Sequence, residues 1–213
     1  MSFQSMAEAG TGFFHPWSQD TYLNTQGMED SSGICYAVCA MWIEQRYLAA
    51  RSGESSRDAF KRLFASTSGK RIATDLQEEH HEALAQNAGA EPKKIVAAKM
   101  TPAFRYLGNS GLVHKGATVT DDLRVMSDFI ESSPGFYFIG AHGPHGGHAF
   151  AVHHRAAPIR SMTLFDPNHG EVAWTSELYY KQEFCAFFSL VRSLIYKGDL
   201  DGLMVVFRVG ASG

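Results

Sequence analysis

Residues 136–174 read FYFIGAHGPHGGHAFAVHHRAAPIRSMTLFDPNHGEVAW, and this stretch decides the fold class. It contains short runs rich in β-branched and aromatic residues, separated by Gly, Pro and Asn, which is the pattern of strands joined by turns. Four strands are predicted here, at 136–140, 149–153, 162–165 and 172–174. A long apolar helical pattern over 176–196 and a last buried strand at 203–209 follow.

The chain before this stretch has helical spacing instead. Apolar residues recur at helical intervals within 34–50, and shorter helical patterns cover 56–65 and 75–88. Residues 95–98 are predicted as a short strand. Thr120 is predicted as the N-cap of a helix that ends at Glu131. Helices followed by an antiparallel sheet indicate an α+β fold.

Composition sets the organisation and excludes some partners. The 213 residues predict one domain over 1–213, with 1–30 as an irregular N-terminal arm. The net charge of −3 argues against binding to nucleic acid or to anionic membranes, which usually requires a basic surface. No apolar run reaches 18 residues, so no membrane span is predicted. We expect a monomer without a Sec signal peptide, made in the cytoplasm.

Cys35 is the candidate nucleophile. It stands near the start of the helical run, after Ser31-Ser32-Gly33, where the positive end of a helix lowers the pKa of a thiol. The alternative is a small buried core residue, since free cysteine is often buried. The chain has three cysteines, all predicted to be reduced, and Cys39 and Cys185 are interpreted as core residues.

A thiolate mechanism needs a base, and His148 is the candidate among ten histidines. It follows Gly146-Gly147 and opens an apolar strand, which would hold its ring rigidly at a cleft. Asp166 ends the strand at 162–165, where its carboxylate can accept the Nδ1–H of the histidine and fix the reactive tautomer. The alternatives are a turn histidine and an ordinary Asp-Pro turn.

A metal site competes with this interpretation. His142, His145 and His148 share a Gly-rich loop, His153-His154 follow, and neutral imidazole is a common zinc ligand. No Cys or acidic ligand is close in sequence, and histidines at every third loop position do not fix a coordination geometry. The prediction is therefore no metal and no cofactor.

Three segments together resemble one family. The patterns Gly-Ile-Cys-x-x-x-Cys-x-x-Trp at 33–42, Gly-His-Ala at 147–149 and Phe-Asp-Pro-Asn-x-Gly-Glu at 165–171 are similar to the YopT/AvrPphB cysteine proteases, peptidase family C58. The resemblance implies a papain-like fold, with a helical half that carries Cys35 and an antiparallel sheet that carries His148 and Asp166. It also implies a bacterial effector or toxin that cleaves protein inside a target cell.

The oxyanion hole departs from the pattern of papain-like enzymes, which place an amide side chain a few residues before the nucleophile. Here the stretch reads Gln26-Gly27-Met28-Glu29-Asp30, and an ionised carboxylate cannot donate. The predicted donors are the backbone N–H of Cys35 and the side chain of Gln26. Asp30 stands at the position where the family pattern places the residue of the oxyanion hole.

The sequence thus predicts a cysteine endopeptidase that uses Cys35, His148 and Asp166, delivered by a specialised secretion system. Its expected partners are a protein substrate and a cognate immunity or inhibitor protein. Two alternatives remain open. One is a Cys/His acyl-transfer toxin of another kind, such as a peptidoglycan amidase or a deamidase or transglutaminase-like enzyme. The other is a non-enzymatic His-rich metal-binding module.

Overall fold

A central antiparallel sheet organises the molecule. The computed structural model describes residues 2–20, 34–87, 89–90, 92–143, 146–156, 160–175 and 180–212. Within them the strands are β1 Phe13–Pro16, β2 Leu112–Thr120, β3 Gly135–Gly143, β4 Gly146–Arg155, β5 Ser161–Asp166, β6 Gly170–Trp174 and β7 Met204–Ala211. Their order across the sheet is β1-β6-β5-β4-β3-β7-β2, and every neighbouring pair is antiparallel.

Helices cover both faces of this sheet. Those described are α1 Phe3–Ala9, α2 Cys35–Ser52, α3 Ser56–Ala65, α4 Thr67–Gln86, α5 Pro92–Gly108, α6 Leu123–Glu131 and α7 Tyr180–Leu190, and α7 continues as a π-helical turn, Val191–Ile195. None of these helices combines the length and hydropathy needed to cross a bilayer. The predicted α+β fold is confirmed.

Strand alternation explains the two layers. On β3, Phe136 and Phe138 contribute to a core shared with α2, α3, α4 and α5. Tyr137 and Ile139 contribute to a second core shared with α1, α6 and α7. Successive side chains of a strand point to opposite faces, so one apolar run supplies both cores. This is why the central strands read as nearly continuous hydrophobic stretches.

Helix α2 lies inside the first core. Residues 36–43 of this helix are all buried, because α3, α4 and α5 surround it on the sheet. A helix that is apolar on all sides is typical of such a position. Its N-cap, Ile34, makes no side-chain hydrogen bond to the first turn. The amide groups that begin α2 are therefore left for other partners, next to the start of β4.

Two sequence predictions are wrong here. Residues 95–98 belong to helix α5, not to a strand, because Met100, Ala103 and Leu107 recur at helical spacing and are buried in the first core. The arm at 1–30 is not irregular over its described part. Ser2 caps α1 through a capping box with Ser5, and β1 pairs with β6 at the sheet edge. Residues 21–30 lie outside the described residues.

One helix boundary also differs. The N-cap of α6 is Asp122, whose carboxylate accepts the Arg124 N–H at 2.7 Å. Thr120 ends β2, and its hydroxyl accepts the Asp122 N–H at 3.0 Å. Thr120 thus stabilises the turn before the helix. The negative charge of a carboxylate at the N-cap interacts favourably with the positive end of the helix dipole. The predicted helix end at Glu131 is confirmed.

Candidate active site

Cys35 is the first residue of α2, and its side chain is partly exposed at the end of the helix. The sulfur is hydrogen-bonded to the side chain of His148 and to the backbone amides of Tyr36 and Ala149. Amides at a helix N-terminus carry partial positive charge, which favours the thiolate. The local backbone thus supports an anionic sulfur at this position.

His148 and Asp166 meet because β4 and β5 are neighbours in register. Ala151 pairs with Phe165, so Phe150 lies opposite Asp166 and His148 is the diagonal neighbour of Asp166 on the same face. His148 Nε2 lies 2.9 Å from Asp166 Oδ1. The structure therefore brings Cys35, His148 and Asp166 together in the order that the sequence predicts.

The ring orientation differs from the sequence prediction. Asp166 was expected to accept from Nδ1–H, but it contacts Nε2. This leaves Nδ1 of His148 for the hydrogen bond with Cys35. His148 lies near the start of β4, and the Nε2 side of its ring faces β5. A carboxylate that bonds to either ring nitrogen can fix the tautomer of a histidine.

Electrostatics favour a charged pair in this cluster. Burial alone would lower the pKa of His148, but the Asp166 carboxylate and the Cys35 sulfur raise it to about 10. Burial alone would raise the pKa of Cys35, yet the facing imidazolium brings it below its ordinary value. The pKa of Asp166 is lowered because His148 outweighs burial. These shifts all favour the thiolate, imidazolium and carboxylate forms over the neutral ones.

Sequence reasoning missed the residues behind Asp166. The Tyr196 hydroxyl lies 3.1 Å from Oδ1 and 3.0 Å from Oδ2 of Asp166, and the Asn168 backbone N–H donates to Oδ1 at 2.9 Å. The Asn168 side chain donates to the Tyr196 hydroxyl at 3.1 Å and accepts from Gln19 at 2.6 Å. Only Asn168 carried a signal, as part of the Asp-Pro-Asn phrase. Tyr196 comes from a distant π-helical turn.

The remaining cysteines have different environments. Cys39 is fully buried in the first core, and burial raises the pKa of its thiol well above the ordinary value. Its interpretation as a core residue is confirmed. Cys185 packs against the second core, as predicted, but it is only partly buried. It sits on α7, whose buried positions are occupied by the aromatic residues on either side.

The histidines of the alternative metal site contact separate partners. His142 Nε2 lies 2.6 Å from Lys99 Nζ, and His153 Nδ1 accepts from Arg46 Nε at 3.2 Å. His154 Nδ1 lies 3.1 Å from the Ile130 carbonyl oxygen. Within the described part of the chain, no three His, Cys, Asp or Glu side chains gather as metal ligands. His145 lies outside that part.

Of the residues predicted for the oxyanion hole, the structure describes only Cys35. Gln26 and Asp30 lie outside the described residues, so their roles stay predictions. The Cys35 N–H belongs to the first turn of α2, where no residue four positions earlier in the helix can accept it. It remains the donor that we expect to face a developing oxyanion.

A second buried cluster ties α2 to the sheet. Trp42 Nε1 donates to Glu171 Oε1 at 2.6 Å, and the Trp42 ring stacks on Phe165 with centroids 5.3 Å apart. Arg46 and Arg57 form ion pairs with Glu171 at 3.2 Å and 3.1 Å. Trp42, Phe165 and Glu171 all belong to the segments that carry the resemblance. These contacts hold the Cys35 helix against the strands that carry Asp166.

A cleft of about 390 Å³ opens beside Cys35 and His148. Helices α4 and α5 form one wall, and β3 and β4 form the other. Its size is within the range of small-ligand sites and suits one or two amino-acid side chains. Cys35 and His148 thus lie at the edge of a cavity that a substrate can enter.

A helical layer that presents a thiolate to a His and an Asp on an antiparallel sheet defines the class of papain-like cysteine proteases. A family model described as Yersinia/Haemophilus virulence surface antigen matches residues 13–200. The chain belongs to that family, peptidase family C58, and is a cysteine protease. The resemblance noted in the sequence is confirmed.

A solved structure agrees with this fold. The crystal structure of the Pseudomonas avirulence protein AvrPphB superposes with a TM-score of 0.58 at 16% identity, covering 84% of this chain and 94% of that one. PatoxP, a cysteine protease-like domain of the Photorhabdus asymbiotica toxin PaTox, gives a TM-score of 0.46 at 13% identity, over 97% of this chain and 57% of that one. A search of curated protein sequences finds no match.

Proposed function

We propose that this chain is a cysteine endopeptidase that acts as a bacterial effector or toxin and cleaves a protein inside a target cell. The observation that carries the proposal is the hydrogen-bonded series Cys35–His148–Asp166 beside an open cleft. Membership of a virulence-associated family supports delivery into another cell. A cognate immunity or inhibitor protein in the producing cell fits the same proposal.

The proposed mechanism begins from the thiolate–imidazolium pair. The Cys35 sulfur attacks the carbonyl carbon of a peptide bond, and the Cys35 N–H stabilises the resulting oxyanion. Nδ1 of His148 then gives its proton to the leaving amine, so that the C–N bond breaks and an acyl-enzyme remains. His148 next takes a proton from water, whose oxygen attacks the thioester and releases the acid and the Cys35 thiolate.

Asp166 has a supporting role in this scheme. Its bond to Nε2 keeps the proton-carrying Nδ1 directed at Cys35 and stabilises the imidazolium. The carboxylate neither contacts substrate nor transfers a proton. The residues behind it fix its position, so the reacting ring is oriented by a rigid series of contacts.

Digestion of a proteome-derived peptide library tests this function. The wild-type protein is expected to create new N-termini, detected by mass spectrometry, that Cys35→Ala does not create. Chelator treatment should leave the cleavage unchanged. Deamidated or cross-linked glutamines without new N-termini would instead identify an acyl-transfer enzyme of another kind. Cleavage that persists in Cys35→Ala and disappears with the chelator would contradict the thiolate mechanism.

A further inference from the structure

Lys99 is a buried cation in the wall of the active-site cleft. It lies on α5, only 8% exposed, and it lines the cavity that also contains Cys35 and His148. Most of the remaining wall is apolar, with Leu84, Met100 and Phe138 among its residues. A lysine is rarely this buried unless it is paired. Its location therefore needs a physical reason.

The described neighbours of Lys99 leave its charge uncompensated by a carboxylate. Nζ donates to His142 Nε2 at 2.6 Å, and His80 Nδ1 donates to the Lys99 carbonyl at 3.0 Å. Burial lowers the pKa of both histidines to about 4, so each is neutral near pH 7. Burial lowers the pKa of Lys99 to about 8, which leaves it mostly protonated. Among described residues, the anion that acts on it is Cys35.

The surrounding backbone holds Lys99 in place. Pro102 interrupts the hydrogen bonding of α5. In this region the Ala103 N–H donates to the Tyr36 hydroxyl at 2.8 Å, and the Lys99 carbonyl accepts from His80. Tyr36 follows Cys35 directly, and its ring stacks on His80 with centroids 4.0 Å apart. The helix of Lys99 is thus fixed to the helix of the nucleophile.

The glycine before His148 makes room for this arrangement. A Cβ atom on Gly147 would lie 2.8 Å from His142 Nδ1. Without that atom, the His142 ring packs against the start of β4 and presents Nε2 to Lys99. Lysine has three N–H donors and His142 uses one of them, so two remain for a ligand that enters the cleft.

We propose that Lys99 binds the carboxylate of an aspartate or glutamate of the substrate, within three residues of the scissile bond. The inference rests on the proposed peptidase function and names its specificity. A substrate carboxylate would supply a counter-charge that the described residues of the cleft do not provide, and would accept charge-assisted hydrogen bonds from Nζ. The apolar wall would enclose the methylene groups of the same side chain. Neutral and basic side chains would leave the buried ammonium unpaired.

The peptide library provides the first test. Residues at the three positions on each side of every cleaved bond are tabulated for the wild type and for Lys99→Gln, which removes the charge and keeps the chain length. Asp and Glu should be enriched at one position in the wild type and not in the variant. Lys115→Gln, at an exposed lysine of β2 outside the cleft, is the matched control and should keep the enrichment.

A pair of peptides gives the magnitude. The best cleaved sequence is synthesised with Asp, and again with the isosteric Asn at that position. The wild type should cleave the Asp peptide with a kcat/KM about tenfold or more above that of the Asn peptide, as expected for a hydrogen-bonded charge pair. The ratio should fall to about one in Lys99→Gln and be partly restored in Lys99→Arg. Thermal transitions of all variants are measured first.

The outcomes separate the two proposals. Cleavage by the wild type without acidic enrichment would overturn the Lys99 site and leave the peptidase intact, and this needs no variant to fold. An acidic preference that survives in a folded Lys99→Gln would also overturn it. The absence of any Cys35-dependent cleavage would overturn the peptidase, and the specificity with it.

Discussion

Asp166 and Glu171 are two buried carboxylates on one hairpin, and their surroundings differ in kind. Asp166 ends β5 and is 0% exposed, while Glu171 follows the start of β6 and is 5% exposed. Each contacts a group linked to α2, and each has a pKa below its ordinary value. The same chemical group is thus used twice, on opposite faces of the sheet.

The partners decide what each carboxylate can do. Glu171 is held by Arg46 and Arg57, which stay charged at any ordinary pH, and by the Trp42 N–H. Asp166 is held by His148 and Tyr196, and His148 in turn contacts a thiol beside an open cleft. A permanent ion pair can only hold elements together. A titratable partner in a cleft can also transfer a proton, so we expect stability to depend most on Glu171 and activity most on Asp166.

Removing the nucleophile should have the largest effect. Cys35→Ala is expected to abolish cleavage, because no neighbouring group can replace the thiolate, and His148→Ala should be nearly as severe. The double change should match Cys35→Ala alone, since the pair acts as a unit. Cleavage rates on the best library peptide measure this. Cys39→Ala is the control and should keep most activity, and a dead Cys39→Ala with an active Cys35→Ala would show that the site is assigned wrongly.

Exchanging each carboxylate for alanine tests the comparison directly. Glu171→Ala should lower the free energy of unfolding by about 3–5 kcal/mol, because it leaves two arginines and Trp42 without their buried acceptor. Asp166→Ala should lower kcat/KM by about 10²-fold, the lower end expected for general acid–base catalysis. Urea titrations and initial rates give the two quantities for both variants.

The control for this pair is Glu78→Ala, at an exposed position of α4, which should change stability by about 0.5 kcal/mol or less. A folded Glu171→Ala that loses as much activity as Asp166→Ala, at equal folded fraction, would contradict the division between the two carboxylates. So would an Asp166→Ala that is fully active.

The pH dependence should differ between the two regions. The raised pKa of His148 means that the imidazolium stabilises the fold fully below the ordinary value of about 6.5, and that this contribution is lost as pH rises through about 10. The lowered pKa of Cys35 means that its thiolate is lost as pH falls through that lowered value. On the Asn peptide, whose cleavage does not depend on the charge of Lys99, activity should therefore rise through the Cys35 pKa and fall near pH 10.

Initial rates and the rate of Cys35 alkylation, both measured against pH, check this profile. The alkylation midpoint should lie well below about 8.5, the value of a free thiol. In Asp166→Asn the alkaline limb should move to lower pH, because His148 loses the charge that raises its pKa. In Glu171→Gln it should stay in place, and a shift there would show that the regions are coupled. A wild-type alkylation midpoint at or above the free-thiol value would contradict the ion pair.

The sequence was sufficient to predict elements and residues that have a signal in neighbouring residues. It was insufficient for features that form only when distant parts of the chain pack together. The strands of the stretch 136–174 and helix α2 were predictable because alternation and helical spacing are written along the chain. Cys35, His148 and Asp166 were predictable from short phrases around each residue. Helix α5 was misread at 95–98 because a short apolar run fits a strand equally well, and tertiary packing decides between them.

Two features of the proposed site had no such local signal. Lys99 is an ordinary lysine in sequence, and only the packing of α5 against α4 and the sheet buries it beside Cys35. Tyr196 lies thirty residues after Asp166, and it reaches the carboxylate from the end of a π-helical turn. The i→i+5 hydrogen bonds of that turn change which side chain faces the sheet. The hydrophobic periodicity of the sequence gives no indication of this change.

Tyr196→Phe should produce the smallest effect, and it tests how the Asp166 carboxylate is held. The hydroxyl donates to Asp166 and accepts from Asn168, so its removal costs Asp166 one donor and leaves the Asn168 backbone N–H in place. We expect kcat to fall by about tenfold, the lower end for one hydrogen bond to a charged group, with KM little changed. A carboxylate with one donor fewer still raises the pKa of His148. The alkaline limb of the pH profile should therefore stay near pH 10 in Tyr196→Phe, in contrast to Asp166→Asn.

Tyr47→Phe, which removes a hydroxyl that contacts Arg51, is the matched control and should leave kcat unchanged. An alkaline limb that moves down as far as in Asp166→Asn would mean that Tyr196 keeps Asp166 ionised, and a loss confined to stability would mean that it only packs.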